Sequence, residues 1–239
     1  MSLLIPLIVF SIASVITGIA GFGLGLISMG VLSLLLSLRY ANLIITFVGC
    51  IQVVFILIQV REHIKIAYLL PLALGVAVGA PLGVFALASF DEHLLKRILG
   101  GFILFYVVYD LWLQDRIRFT VNRWSGIGFG FAAGALGGAF SVGGPPAIMY
   151  LTSQKVDKYV FKASIAGLLV ALIAIKIPFF LINGLLKAED LPIILLFLIP
   201  GVGGVLVGMK IFSVLPSRVF KIIVHVLLVA SGAMLLIKG

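Results

Sequence analysis

The chain has 239 residues, 63% of them hydrophobic and 10% charged, with a mean hydropathy of +1.33; this composition excludes a soluble domain and makes lipid the solvent. A net charge of +9 would suggest a nucleic-acid partner in a soluble protein, but here the basic residues sit in short connections between apolar runs, where membrane orientation explains them and no basic arm exists to grip DNA or RNA. Cys50, the single cysteine, lies in an apolar run, so neither a disulfide framework nor a cysteine metal site can be built.

The opening MSLLIPLIVF lacks a basic n-region, so the first apolar stretch is expected to stay as a membrane segment. Charged or turn-rich interruptions at 39–42, 61–65, 91–97, 114–123, 152–162, 183–190 and 213–221 divide the chain into eight apolar segments. Six of these, about 43–60, 66–89, 95–113, 163–182, 191–212 and 219–237, have the length of ordinary spans. The other two, 2–38 and 124–151, carry glycine clusters near their middles, GIAGFGLG and GALGGAFSVGGPP. As one straight helix the first would measure about 55 Å, well over the hydrocarbon thickness.

The two breaks belong to an internal repeat. Gly18 and Gly23 precede Gly138 and Gly143 by 120 residues, while Gly79, Gly83 and Lys96 precede Gly204, Gly208 and Lys221 by 125. Two membrane repeats are expected, 1–118 and 119–239. If each broken segment crosses once, the loop cations divide nine against seven, which gives no useful bias. If each goes in and returns, as paired helices or a re-entrant hairpin, they divide eleven against five, which satisfies the positive-inside rule with both termini outside. The halves are then inverted copies, an all-α polytopic architecture shared by many secondary transporters, whose broken helices meet near the midplane.

Irregular backbone at membrane depth persists only where protein or a water-filled cavity satisfies it, so a break implies a cavity. Pro145 and Pro146 suit a helix start, which predicts a helix from there to about Leu151 with its positive dipole end at the break. Gly143 and Gly144 allow close backbone approach and Ser141 adds a hydroxyl, which together make an anion site. Gly21, Gly23 and Gly25, followed by Ser28, offer the same elements in the first half. Packing alone would also use small residues, and for Gly75, Gly79 and Gly83 packing is the expected role. It does not call for two prolines.

Lys176 is the one basic residue well inside a span, and two readings are open: a functional intramembrane charge, or a side chain snorkelling toward the interface near Asn183. Pro178 just after it can kink the helix. Thr46, Gln52 and Ser164 are candidate path-lining residues. Asp110 is a candidate for proton coupling or an interfacial acid paired with Arg116 or Arg118. His63, His93 and His225 are far apart, no carboxylate pair lies in an apolar core, and no strand and Gly-Lys-Ser/Thr frame the glycines. Metal chemistry, catalysis and ATP-driven transport are therefore not expected, and no cofactor is called for.

The GFGLG break, the GGAFSVGGPPAIMYL stretch, KIPFFLINGL and the two-fold organisation resemble the TauE/SafE family of sulfite and organosulfonate exporters over essentially the whole chain. The resemblance implies a bacterial or archaeal inner-membrane carrier of a small anion such as sulfite or sulfoacetate, coupled to an ion gradient. It also implies that Gly143, Gly144, Pro145, Pro146 and the Gly21 to Gly25 break line the path, and it favours a functional Lys176. A homodimer is plausible for a carrier of this size. The rival readings are a small-anion channel and a non-transporting assembly subunit.

Overall fold

The computed structural model describes residues 4–20, 24–113, 122–211 and 217–238. Its secondary structure is helical: α1 Leu4–Ala20, α2 Leu24–Leu35, α3 Leu38–Val60, α4 Ile66–Ser89, α5 Glu92–Val108, α6 Gly126–Phe140, α7 Gly144–Ser153, α8 Lys158–Ile182, α9 Leu191–Ile211 and α10 Ser217–Lys238. A single π-helical turn, Tyr109–Leu113, continues α5. Capping explains several starts. Ser37 accepts from the Tyr40 N–H, Asp91 from His93 and Leu94, and Asp157 from Tyr159 and Val160, each satisfying amides that a helix start leaves unpaired. The Val160 and Tyr159 amides hold the exposed Asp157 carboxyl below its ordinary range. These caps correct the expected interruptions at 39–42, 91–97 and 152–162: Arg39, Asn42, Lys96 and Lys162 lie inside helices, because the cap before each lets the helix begin earlier than hydropathy indicates.

Contacts fix the helix directions. Arg39 pairs with Asp190 just before α9, and Gln52 reaches Gly201, so α3 and α9 run parallel. Gly204 lies against Ser11 and Val15, and Gly208 against Val15 and Gly18, so α1 follows α9 and therefore α3. The connecting α2 must reverse. On the other side, Gly75 lies against Ile127 and Phe131 and Gly83 against Ala135 and Ala139, which makes α4 parallel to α6. His63 stacks on Tyr159 and Leu69 packs on Gly167, so α8 shares that direction. Lys176 meets Asn42 while Ala166 clusters with Val53 and Ile56, which sets α8 antiparallel to α3.

The second broken segment is a hairpin. Tyr150, near the end of α7, donates to the Arg123 carbonyl at 2.9 Å and abuts Gly126 at the start of α6. At 1.5 Å per residue α6 and α7 are about 22 and 15 Å long, and α1 and α2 about 26 and 18 Å, against a hydrocarbon core of about 30 Å. All four are short for a full crossing. Four other helical stretches, Leu38–His63, Ile66–Ser89, Lys158–Ile182 and Ala188–Gly208, are long and apolar enough to span.

Helix starts fall at the offsets read from the glycines. Leu24 and Leu38 precede Gly144 and Lys158 by 120 residues, while Ile66 and Glu92 precede Leu191 and Ser217 by 125. Gly75, Gly79 and Gly83 serve packing as expected: any Cβ there would overlap backbone atoms of α6. These glycines let two helix backbones touch, and dispersion between them supplies the cohesion that lipid tails do not.

Candidate anion site

The helix α6 ends at Ser141, whose φ of 56° is left-handed. The Ser141 N–H bonds the Gly137 carbonyl at 2.9 Å and the Val142 N–H bonds that of Leu136 at 3.3 Å, which closes the helix and turns the chain into α7. Pro145 and Pro146 occupy the first turn of α7, as the sequence predicts, and remove donors that would otherwise go unpaired. The opposing hairpin arrives at the same place: a Cβ on Gly25 would overlap the Ser141 carbonyl oxygen. Only a glycine allows the start of α2 to touch the end of α6.

Lys176 reaches this junction and does not snorkel. It is 1% exposed, and its Nζ lies 2.6 Å from Asn42 Oδ1, 2.8 Å from the Gly137 carbonyl and 2.6 Å from Ser141 Oγ. Two of these are pure acceptors, and Ser141 Oγ donates its own proton to Asn42 Oδ1 at 2.5 Å. The three acceptors sit where the three N–H donors of an ammonium match them one for one. The Phe180 ring centroid, 5.2 Å from Nζ, adds a cation–π contact. No ion pair among the described residues includes Lys176; those found are Arg39–Asp190, Lys96–Glu92, Lys187–Glu189 and His225–Asp110. Burial of an ion costs several kcal/mol even after relaxation. Hydrogen bonds offset part of that cost, and a bound anion would offset more.

Asn42 is the hub that sequence reasoning missed. Fully buried in the second turn of α3, it accepts from Lys176 and Ser141 and donates to the Gly138 and Ala139 carbonyls at 3.1 and 2.7 Å. Thr46, one turn on, donates to the Asn42 carbonyl at 2.6 Å and lies 3.3 Å from Ser141 Oγ. The signal was present as Asn42, Thr46, Gly49 and Gln52, a polar and small stripe at helical spacing.

Beside the cluster is a cavity of about 80 Å³, room for several waters or one small anion where a single water needs about 10–15 Å³. Of the expected residues, Gly25, Thr46, Gln52, Ser141, Gly144, Pro145 and Lys176 line it, and Thr17 and Tyr106 join them. A Cβ on Gly144 would meet nothing closer than 4.0 Å. Gly143 instead packs against Ala133 and Leu172, and Pro146 is buried in α7 outside the lining. Ser28 and Ser164 are buried away from the cavity wall, their hydroxyls without a partner. Gly21 and Gly23 lie outside the described residues.

Asp110 is held by His225 of α10, at 3.0 Å, a partner the sequence did not suggest; Arg116 and Arg118 lie outside the described residues. Among the described residues no group of histidine, cysteine and carboxylate side chains is arranged to hold a metal.

The family model described as "Sulfite exporter TauE/SafE" matches residues 6–235. The chain belongs to this family. No curated protein and no solved structure gave a match. As a TauE/SafE protein it is a multi-pass membrane transporter of the sulfite and sulfonate anion type.

Proposed function

We propose that the protein exports a small anion, sulfite or an organosulfonate such as sulfoacetate, by alternating access coupled to an ion gradient. The observation that carries this reading is Lys176: a wholly buried lysine without a carboxylate partner among the described residues, at the contact of two broken segments and on a cavity wall. The anion enters the cavity as the missing counter-charge. Ser141 turns its hydroxyl from Asn42 toward the anion, the start of α7 adds the positive end of its dipole, and Thr46 lies within reach of the same oxygens. The halves 1–118 and 119–239 act as inverted repeats. Supporting this are the matched helix starts and the opposite directions of α1 and α6. Rocking one half against the other opens the site to each side in turn. The more basic loop face lies in the cytoplasm of the cell, with both termini outside the inner membrane.

Purified protein in liposomes tests the reading. Saturable sulfite or sulfoacetate flux, with counterflow of labelled anion driven by unlabelled anion and loss of both in Lys176→Met, is the expected result. Flux without counterflow would replace the carrier by a channel using the same breaks. No flux of any anion would return the glycines to helix packing alone.

A further inference from the structure

Gln52 stands at the far side of the cavity from the lysine. It is fully buried, lies on the cavity wall, and its Nε2 donates to the Gly201 carbonyl at 2.9 Å and to Ser14 Oγ at 3.3 Å. The Gly201 carbonyl fixes the amide orientation, since the reverse would set two acceptor oxygens against each other. Its Oε1 has no hydrogen-bond partner. A buried acceptor without a donor is costly to keep, and such orphans call for an explanation. The Nε2 edge is committed to α9 and α1, which leaves Oε1 as the unbonded edge of an amide whose residue lies on the cavity wall.

From Thr46 to Gln52 is about 9 Å along the axis of α3. Apolar side chains make up much of the rest of the wall, among them Leu24, Ile45, Val53, Leu169 and Ile173. The cavity wall thus carries cation and hydroxyl groups at Lys176, Ser141 and Thr46, a largely apolar lining, and Gln52 about 9 Å from Thr46 along α3. A compact oxyanion satisfies the first of these only.

We propose that Gln52 Oε1 is a specificity subsite that accepts a hydrogen bond from a donor, hydroxyl or ammonium, at the tail of a short-chain anion whose head lies at Ser141 and Lys176. This rests on the anion-site reading above. A site built to bond a donor discriminates strongly against analogues lacking it, because its own polar group is then left unpaired.

The test is binding of 2-hydroxyethanesulfonate, 2-methoxyethanesulfonate and ethanesulfonate to the purified full chain by calorimetry. Wild type is expected to bind the hydroxy compound at least about tenfold more tightly than the other two, and Gln52→Met to bind all three alike, at the affinity wild type shows for ethanesulfonate. The methoxy comparison uses wild type alone, so it stands even where the Gln52 variant fails to fold. Equal binding of hydroxy and methoxy compounds, or a preference retained in Gln52→Met, would overturn the subsite while leaving the anion site intact. Failure of all three, and of sulfite, to bind wild type would remove the anion site and the subsite with it.

Discussion

At the residue scale, Lys176 separates function from stability. Its removal leaves no acceptor orphaned: Gly137 O still takes the Ser141 N–H, and Asn42 Oδ1 still takes the Ser141 hydroxyl. Replacement of a buried charge by an apolar side chain of similar volume is often neutral or stabilising. Lys176→Met is therefore expected to unfold in detergent within about 1 kcal/mol of wild type or later, while losing sulfite binding. Marked destabilisation instead would make the lysine a structural tie. Asn42 is the converse. Asn42→Ala strips both donors from the Gly138 and Ala139 carbonyls and one acceptor from the ammonium, a loss of about 2–4 kcal/mol by the usual cost of buried unpaired groups. The same thermal assay reads it. Lys176 and Ser141 were legible in the sequence because a charge or a run of glycine and proline in hydrocarbon is conspicuous. Asn42 was not, since it stands next to Arg39 and Tyr40 and so resembles a loop until the Ser37 cap places it on the helix.

At the element scale, close packing of glycine faces makes neighbouring positions respond with opposite sign. A Cβ on Gly203 meets nothing within 4 Å, whereas one on Gly204 would lie 2.7 Å from Ser14 Cβ and 2.9 Å from the Ser11 carbonyl oxygen. Alanine at 203 should gain about 0.5–1 kcal/mol from helix propensity. At 204 it must push α9 away from α1 and should lower the unfolding midpoint instead. Equal responses at the two positions would mean that α1 and α9 do not pack through this face. Hydropathy revealed the spans and the glycine clusters the breaks, but neither could show which helices touch. That follows from which face of each helix carries the glycines and from what lies opposite, a matter of long-range pairing.

At the scale of the whole molecule, the chemistry is less symmetric than the backbone. Under the 120-residue offset Ser141 corresponds to Gly21, Gln52 to Leu172, Thr46 to Ala166 and Lys176 to Ile56. One hairpin tip and two helices thus carry the polar groups, while the other tip supplies Gly25 and close approach. In the proposed inverted arrangement the return of each broken segment allows this meeting, because hairpins entering from opposite faces would bring their tips together inside the bundle. Loop positions test it directly. In a Cys50→Ala background, single cysteines at Lys65, Asn122 and Lys158, at or just before the starts of α4, α6 and α8, should react with a membrane-impermeant maleimide from the cytoplasmic face, and those at His93 and Lys187 from the outside. Labelling of 122 and 158 from opposite faces would mean that 124–151 crosses once, and the contact between tips could not then form from opposed hairpins. Labelling from one face, with 93 and 187 on the other, leaves the short α6 and α7 with no way to end except inside the membrane, at the αL turn of Ser141 beside Lys176.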